Sequence, residues 1–412
     1  MSSLKSSFTV GIFQSLSFCG LRQKILKNIA FQPPKVSYSL KARCDDQMTK
    51  STLTNPSSLQ VIDSEHEKRQ KSKSYDDENI HELGLLDLAE EIMQFTSESL
   101  SPMKEKVSEP AYDFYLIDEQ GQEIPIPKQE NLDLTGYFLK GRKGHRIASL
   151  YLQYLFPMSE YVILFSHGNA SDLGYMIDTL IDLCNNLRIN IFAYEYSGYG
   201  LSQGKCTDLN IINNIQVAYQ FLVQQMNFDP TKIIVYGYSI GSGPSVMLVS
   251  DIEFPVGGLV VHSGLSSGLR VVNNKLKSTP FYDIFPNVDR IKDVTCPVFI
   301  LHGKEDEIID LQHAKLLSSN CQRLYEYWEV DNIGHQGIDT NDEHRKNYFY
   351  KLRDFIKLIQ NENQTIKELK KRNTASPKLN GSYNHYYDNK IREFHLSCRK
   401  VQDSGSPPKK IR

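Results

Sequence analysis

The stretch KIIVYGYSIGSGP, Lys232 to Pro244, decides the fold. Ile233, Ile234, Val235 and Tyr236 are β-branched or aromatic and read as a buried parallel strand. Ser242, Ser245 and the apolar run Val246 to Val249 read as the first turns of a helix. Ser239 falls at the corner, between Gly237 and Gly241. Without a Cβ at those two positions the helix packs close to the strand, and the serine takes a strained backbone that presents its hydroxyl, as in a nucleophile elbow. A Gly-x-Ser-x-Gly match alone is more often an ordinary glycine turn. The strand before and the helix after make Ser239 the expected nucleophile.

A serine hydroxyl is a poor nucleophile until a histidine removes its proton and a carboxylate holds that histidine in the right tautomer. Both partners lie downstream. CPVFILHGKEDEIID, from Cys296, reads as a strand ending at His302-Gly303 and a loop with Glu305, Asp306, Glu307 and Asp310. Asp306 is the expected orienting acid, with Glu305 and Asp310 as alternatives. LYEYWEV, from Leu324, runs into DNIGHQGID, where His335 is the expected base. Its rivals are His302, His262 and His313, of which His302 reads as a packed, hydrogen-bonded histidine at a strand end. The order Ser, Asp, His is that of an α/β-hydrolase sheet. YVILFSHGNASDLG, from Tyr161, again reads as strand, loop and helix. Its loop would supply one backbone amide to an oxyanion hole and the residue after the nucleophile the other, giving Asn169 and Ile240, with Ala170 as substitute for Asn169. The plainer reading is that His167-Gly168 only makes a tight turn.

The blocks SHGNASDLG, FAYEYSGYGLSQGK from Phe192, GYSIGSGPS, HSGLSSGLR from His262 and HGKEDEIID follow one another in that order. Together they resemble the α/β-hydrolase domain-containing protein 17 family, over about Ala111 to about Leu358, with a further short stretch FQPPKVSYSL from Phe31. The resemblance implies a membrane-associated serine hydrolase whose members remove palmitoyl groups from cysteines of other proteins. Two departures stand out. The family's histidine is usually followed by Asn-Asp, whereas Gln336 and Gly337 follow His335; and where animal members carry a dense N-terminal cysteine cluster, this chain has Cys19.

The fold class expected is α/β: an α/β-hydrolase fold with a mostly parallel central sheet flanked by helices and disordered extensions at both ends. Strands are expected near 111–117, 134–138, 148–154, 161–166, 190–196, 232–236, 258–262, 298–302 and 324–330, the first few antiparallel and the rest parallel. Between Ser266 and Val294, where many lipases insert a large helical cap, lie only about 29 residues, so an open cleft is expected. The catalytic domain should span 111–360 of the 412 residues. Residues 1–44 form a basic amphipathic segment, 45–110 a polar insert with one amphipathic helix from Ile80 to Phe95, and 361–412 a basic tail.

The net charge of −2 provides no field for nucleic acid. Seven cysteines without a CxxC pair point to a reducing compartment, and no His or Cys cluster has zinc spacing, so neither metal nor cofactor is expected. No apolar run reaches about 18 residues, so no spanning helix is expected. Instead Phe8, Ile12, Phe13, Leu16, Ile25, Leu26 and Ile29 would form one face of an interfacial helix, with Lys24 and Lys27 toward anionic lipid; the alternative is that the segment packs on the hydrolase domain. Acylation of Cys19 would add the second signal that stable anchoring requires. The expected location is peripheral, on the cytoplasmic face of the plasma or endosomal membrane. The expected partners are S-acylated proteins and the anionic membrane surface. The expected activity is acyl transfer from a (thio)ester, most specifically a palmitoylated cysteine. The alternatives are a general lipid or small-ester esterase, a serine peptidase, and a catalytically silent interaction protein.

Overall fold

The computed structural model describes residues 31–43 and 110–374. Cys19, the apolar face from Phe8 to Ile29 and the stripe from Ile80 to Phe95 lie outside the described residues. Among the described residues, eleven strands form one sheet: β1 (Tyr38–Ala42), β2 (Tyr112–Ile117), β3 (Glu123–Pro125), β4 (Leu132–Lys140), β5 (Arg146–Tyr154), β6 (Val162–Ser166), β7 (Asn190–Tyr194), β8 (Ile233–Tyr238), β9 (Gly258–His262), β10 (Val298–Gly303) and β11 (Leu324–Val330). Their order across the sheet is β1-β2-β4-β5-β7-β6-β8-β9-β10-β11, with β3 paired to β2. Pairing is antiparallel from β2 through β4 and β5 to β7, and parallel from β7 onward.

The helices are α1 (Leu173–Leu187), α2 (Asp208–Gln220), α3 (Ser242–Val249), α4 (Gly268–Val272), α5 (Asn287–Arg290), α6 (Gln312–Asn320) and α7 (Asp342–Thr374). Side chains alternate across a strand, so each central strand feeds two cores. Ile163 and Phe165 of β6 and Ile234 and Tyr236 of β8 join a cluster with Ile177 and Leu180 of α1 and with Leu352 and Phe355 of α7. Their neighbours Val162, Leu164, Ile233 and Val235 are equally buried on the opposite face, where α2 and α3 pack. This double burial explains why the central strands read as continuous apolar runs rather than alternating ones.

The chain leaves β6 through α1 to reach β7, then passes through α2 to β8 on the other side of β6. The strand order therefore reverses at β6 and β8, and the crevice at their carboxyl ends is where such sheets place a site.

Two expectations need correction. The segment assigned to membrane targeting up to residue 44 includes a sheet strand, β1, because Tyr38 is fully buried with its ring stacked on Phe114 at 5.0 Å. The catalytic domain does not end at 360: α7 continues to Thr374. Its apolar periodicity stops at Ile359, but Glu362 pairs with Arg323 at 2.7 Å and Asn363 donates to the Thr231 carbonyl at 2.8 Å, so polar docking extends the helix. Ser239 itself is buried, 7% exposed. No helix among the described residues is long and apolar enough to cross a membrane.

Candidate active site

The corner after β8 is a one-turn 3-10 segment, Ser239–Gly241, leading into α3. Ser239 has φ 54°, a left-handed conformation that costs a non-glycine residue about 1–2 kcal/mol and persists only where its surroundings impose it. The surroundings are tight. A Cβ on Gly241 would lie 2.2 Å from the Ser166 carbonyl oxygen, and one on Gly237 2.6 Å from the Ser242 Cα. Ser242 Oγ donates to the Ser239 carbonyl at 2.7 Å and accepts Leu265 N–H at 3.0 Å, tying the turn to the loop after β9.

His335 Nε2 lies 2.8 Å from Ser239 Oγ, and His335 Nδ1 lies 2.8 Å and 3.0 Å from the two Asp306 carboxylate oxygens. Burial would raise the Asp306 carboxyl, but hydrogen bonds from His302 and His335 and the Ile309 N–H outweigh it and hold the group well below the usual carboxylate range. Asp306 is therefore an acceptor at neutral pH, which places the imidazole proton on His335 Nδ1 and leaves the Nε2 lone pair facing Ser239. The Asp306 loop keeps its shape because Oδ1 accepts Ile308 N–H at 3.0 Å and Ile309 N–H at 2.7 Å. The His335 backbone is held on two sides: its N–H donates to Glu307 at 3.3 Å, and its carbonyl accepts Tyr238 OH at 3.3 Å.

The rival groups have other employment. Asp310 accepts Gln312 N–H at 2.7 Å at the start of α6, and Glu305 is exposed. His302 Nε2 is 2.7 Å from the Ile309 carbonyl, which can only accept, so that nitrogen carries a proton. The same nitrogen is 3.1 Å from Asp306, making His302 a second buried imidazole on the one carboxylate. His262 Nδ1 is 2.7 Å from Tyr236 OH, itself 2.9 Å from Tyr348 OH. His313 Nδ1 accepts Ser266 N–H at 2.9 Å.

The loop after β6 lies against the elbow, as the closeness of Gly241 to Ser166 and to the His167 carbonyl shows. It contains Asn169, whose side-chain Oδ1 accepts Tyr199 OH at 2.7 Å and Gln32 N–H at 2.8 Å, and Ala170 at φ 52°. Beneath it His167 stacks on Tyr196 at 4.1 Å and faces Glu195 across 3.5 Å. Burial pushes the Glu195 carboxyl up, against the pull of His167, and Glu195 Oε1 accepts Leu173 N–H at 2.5 Å. Ile240, in the elbow turn, is buried.

Sequence reasoning missed Tyr199, Glu195, Tyr238 and the 31–38 segment as parts of this neighbourhood. Their only signal was membership of the blocks FAYEYSGYG, GYSIGSG and FQPPKVSYSL. No group of three or more His, Cys, Asp or Glu residues suited to a metal occurs among the described residues.

The sheet order, the elbow on β8 and the relay of serine, histidine and aspartate define an α/β hydrolase. A family described as Chlamydia CHLPS protein (DUF818) matches residues 147–247. The human α/β hydrolase domain-containing protein 17B is 37% identical over 251 residues, 58% of this chain and 85% of that protein. The mouse α/β hydrolase domain-containing protein 17C is 39% identical over 229 residues, 55% of this chain and 69% of that protein. The chain belongs to the α/β hydrolase domain-containing protein 17 family. Among solved structures, an esterase of Pyrococcus furiosus aligns with TM-score 0.47 at 15% identity, covering 57% of this chain and 94% of that one.

The buried histidines make stability acid-sensitive. Burial, reinforced by neighbouring His335 and His302, pushes His262 down to about 3, and burial pushes His313 down to about 4. Unfolded, each titrates near about 6.5. Between those values the unfolded chain binds protons that the folded chain refuses, so stability is complete above about pH 6.5 and drains as pH falls toward the folded values. The urea midpoint should drop between about pH 7 and 4.5, and His262→Gln, which takes up no proton, should flatten that slope. An equal slope in the variant would show that His262 does not contribute.

Proposed function

We propose that this hydrolase acts by acyl transfer through Ser239 and removes long-chain acyl groups from cysteines of membrane-associated proteins. The observation that carries the chemistry is the continuous relay from Ser239 Oγ through His335 to Asp306, with contacts of 2.8 Å on either side of the imidazole. Ser239 Oγ attacks the acyl carbon while its proton passes to His335 Nε2. The amides of Asn169 and Ile240 receive the oxyanion. Collapse breaks the C–S bond, and His335 returns the proton to the departing cysteine sulfur. Water, deprotonated by His335, then splits the acyl-serine into free fatty acid and Ser239.

The thioester preference rests on the family resemblance of the motifs and on leaving-group chemistry: a thiolate needs less acid assistance than an amine. The segment between β9 and β10 holds only the short helices α4 and α5 and a 3-10 turn, with no large cap to exclude an acyl chain carried on a bulky protein. The membrane-side location rests on the basic, apolar stretch before Phe31 and on Cys19.

Ser239→Ala should abolish labelling by a fluorophosphonate and all hydrolysis without unfolding the protein. Asp306→Asn should retain a trace of activity, with kcat about 10⁴-fold lower through the wrong histidine tautomer. A larger loss in Glu305→Gln than in Asp306→Asn would reassign the acid.

Substrate class is decided by kcat/KM for a palmitoylated peptide thioester, a monoacylglycerol and an amide of equal length. Each methylene bound in the transition state adds about 0.8 kcal/mol, so thioester turnover should climb steeply with chain length. A flat profile would favour a small-ester esterase, and faster amide cleavage a peptidase.

Deleting residues 1–30 should release the protein from membranes in a flotation assay, and Cys19→Ser should do so in part. Full retention of the deleted protein on membranes would place the anchor elsewhere.

A further inference from the structure

The geometry points to the segment Phe31–Tyr38 as a strap that positions the oxyanion loop, with the Gln32 backbone N–H and the Tyr199 hydroxyl setting Asn169 through its side chain. This assignment rests on the reading of Ser239 as nucleophile and of the Asn169 amide as an oxyanion donor. The strap is pinned at both ends. Phe31 is buried, its ring edge-on to Phe285 at 6.2 Å, and Phe285 in turn covers Gly243 in the helix that follows the nucleophile. At the other end Tyr38 stacks on Phe114, and its hydroxyl accepts Leu201 N–H at 3.3 Å.

Between those pins the strap touches the oxyanion loop at both of the loop's ends. At the first, Gln32 N–H and Tyr199 OH converge on Asn169 Oδ1 at 2.8 Å and 2.7 Å, using both lone pairs of the carboxamide oxygen. Burial pushes the Tyr199 phenol well above its ordinary range, so it stays a neutral donor. At the second, Ser37 N–H donates to Asp172 Oδ2 at 2.8 Å, and Ser37 Oγ donates to Oδ1. Asp172 also accepts Tyr175 N–H at 3.0 Å as the N-cap of α1. The left-handed Ala170 lies between these two fastenings, and such a conformation needs neighbours that impose it. The strap supplies them from more than a hundred residues away in the chain.

An oxyanion donor contributes only if its N–H points at the developing charge, and a displacement of about 1 Å costs about 10²-fold in rate. Weakening the strap should therefore lower kcat and leave KM alone. The strap is also the direct continuation of residues 1–30, so the stretch expected to meet the membrane joins the domain at its oxyanion loop.

The test uses the full-length protein. Gln32→Pro removes the donating N–H, whereas Gln32→Ala keeps it and changes only an exposed side chain. Tyr199→Phe removes the second donor. The readouts are kcat and KM on a soluble ester, melting temperature, and the inhibition constant of an alkyl trifluoromethyl ketone, which forms a hemiketal oxyanion on the serine. Gln32→Pro and Tyr199→Phe should each lower kcat by about 10- to 100-fold at near-constant KM and weaken the ketone by the same factor. Gln32→Ala should bind the ketone as wild type does. Should Gln32→Pro fail to fold, Ser37→Ala, which removes the strap's hydroxyl donor to Asp172, takes its place with the same losses expected, and wild-type values there overturn the assignment. Wild-type kcat and ketone affinity in Tyr199→Phe, or equal losses in Gln32→Ala and Gln32→Pro, would overturn the assignment. Unaltered labelling of Ser239→Ala would instead overturn the reading of Ser239 as the nucleophile, so the two failures are distinct.

Discussion

The close approach of the elbow to strand β6 is the constraint on which the rest of the site depends. Ser239 takes a left-handed backbone because the turn that carries it is wedged between the end of β8 and the carbonyls of Ser166 and His167, with 2.2 Å left where a Gly241 side chain would begin. Ser245 Oγ, bonded to Ser166 Oγ at 3.2 Å and to the Gly241 carbonyl at 2.8 Å, locks helix and strand together. Relaxing that contact would let Ser239 return to an ordinary conformation and turn its hydroxyl away from His335. The same contact brings the loop holding Asn169 alongside the residue after Ser239, so one packing event sets both the candidate nucleophile and the candidate oxyanion amides.

Electrostatics on the far side of the histidine follow a different logic. Asp306 is buried, and burial alone would favour its neutral form; two imidazoles and two backbone amides keep it charged. A carboxylate so fully bonded has little freedom to rotate, and His335 inherits its orientation. His302 thus matters to the site without touching the serine. It completes the shell around the acid while its Nε2 proton also engages the Ile309 carbonyl.

Much of this was legible in the sequence, for reasons that differ by residue. Ser239 was legible because an elbow is local: a β-branched run, two glycines and a helix start within thirteen residues. Strands β9 and β11 carry the expected bounds, since both are bordered by turn-forming residues, whereas β4 and β5 run past theirs through polar residues such as Lys140 and Arg146. Asp306 and His335 stand out among their neighbours by loop position and order. Which carboxylate reaches which imidazole is a fact of distance between loops that are 29 residues apart in the chain. The continuation of α7 past Ile359 was not legible, because its contacts there are polar and an apolar periodicity does not register them.

The sequence by itself determined the alternation of strands and helices, the elbow and the chemical kinds of the candidate site groups, because these depend on neighbours a few residues away. Tertiary structure alone decided that Tyr38 and Ser37 belong to the catalytic domain and that Asn169 is held from two directions. It alone decided, too, that a second histidine shares Asp306. The contacts of the 31–38 segment and of Asn169 join groups far apart in the chain through one or two hydrogen bonds, and the His302–Asp306 contact, four residues apart, depends on how the loop after β10 turns back. Such bonds specify geometry strongly but contribute only about 1 kcal/mol apiece, too little to impress a pattern on composition or periodicity.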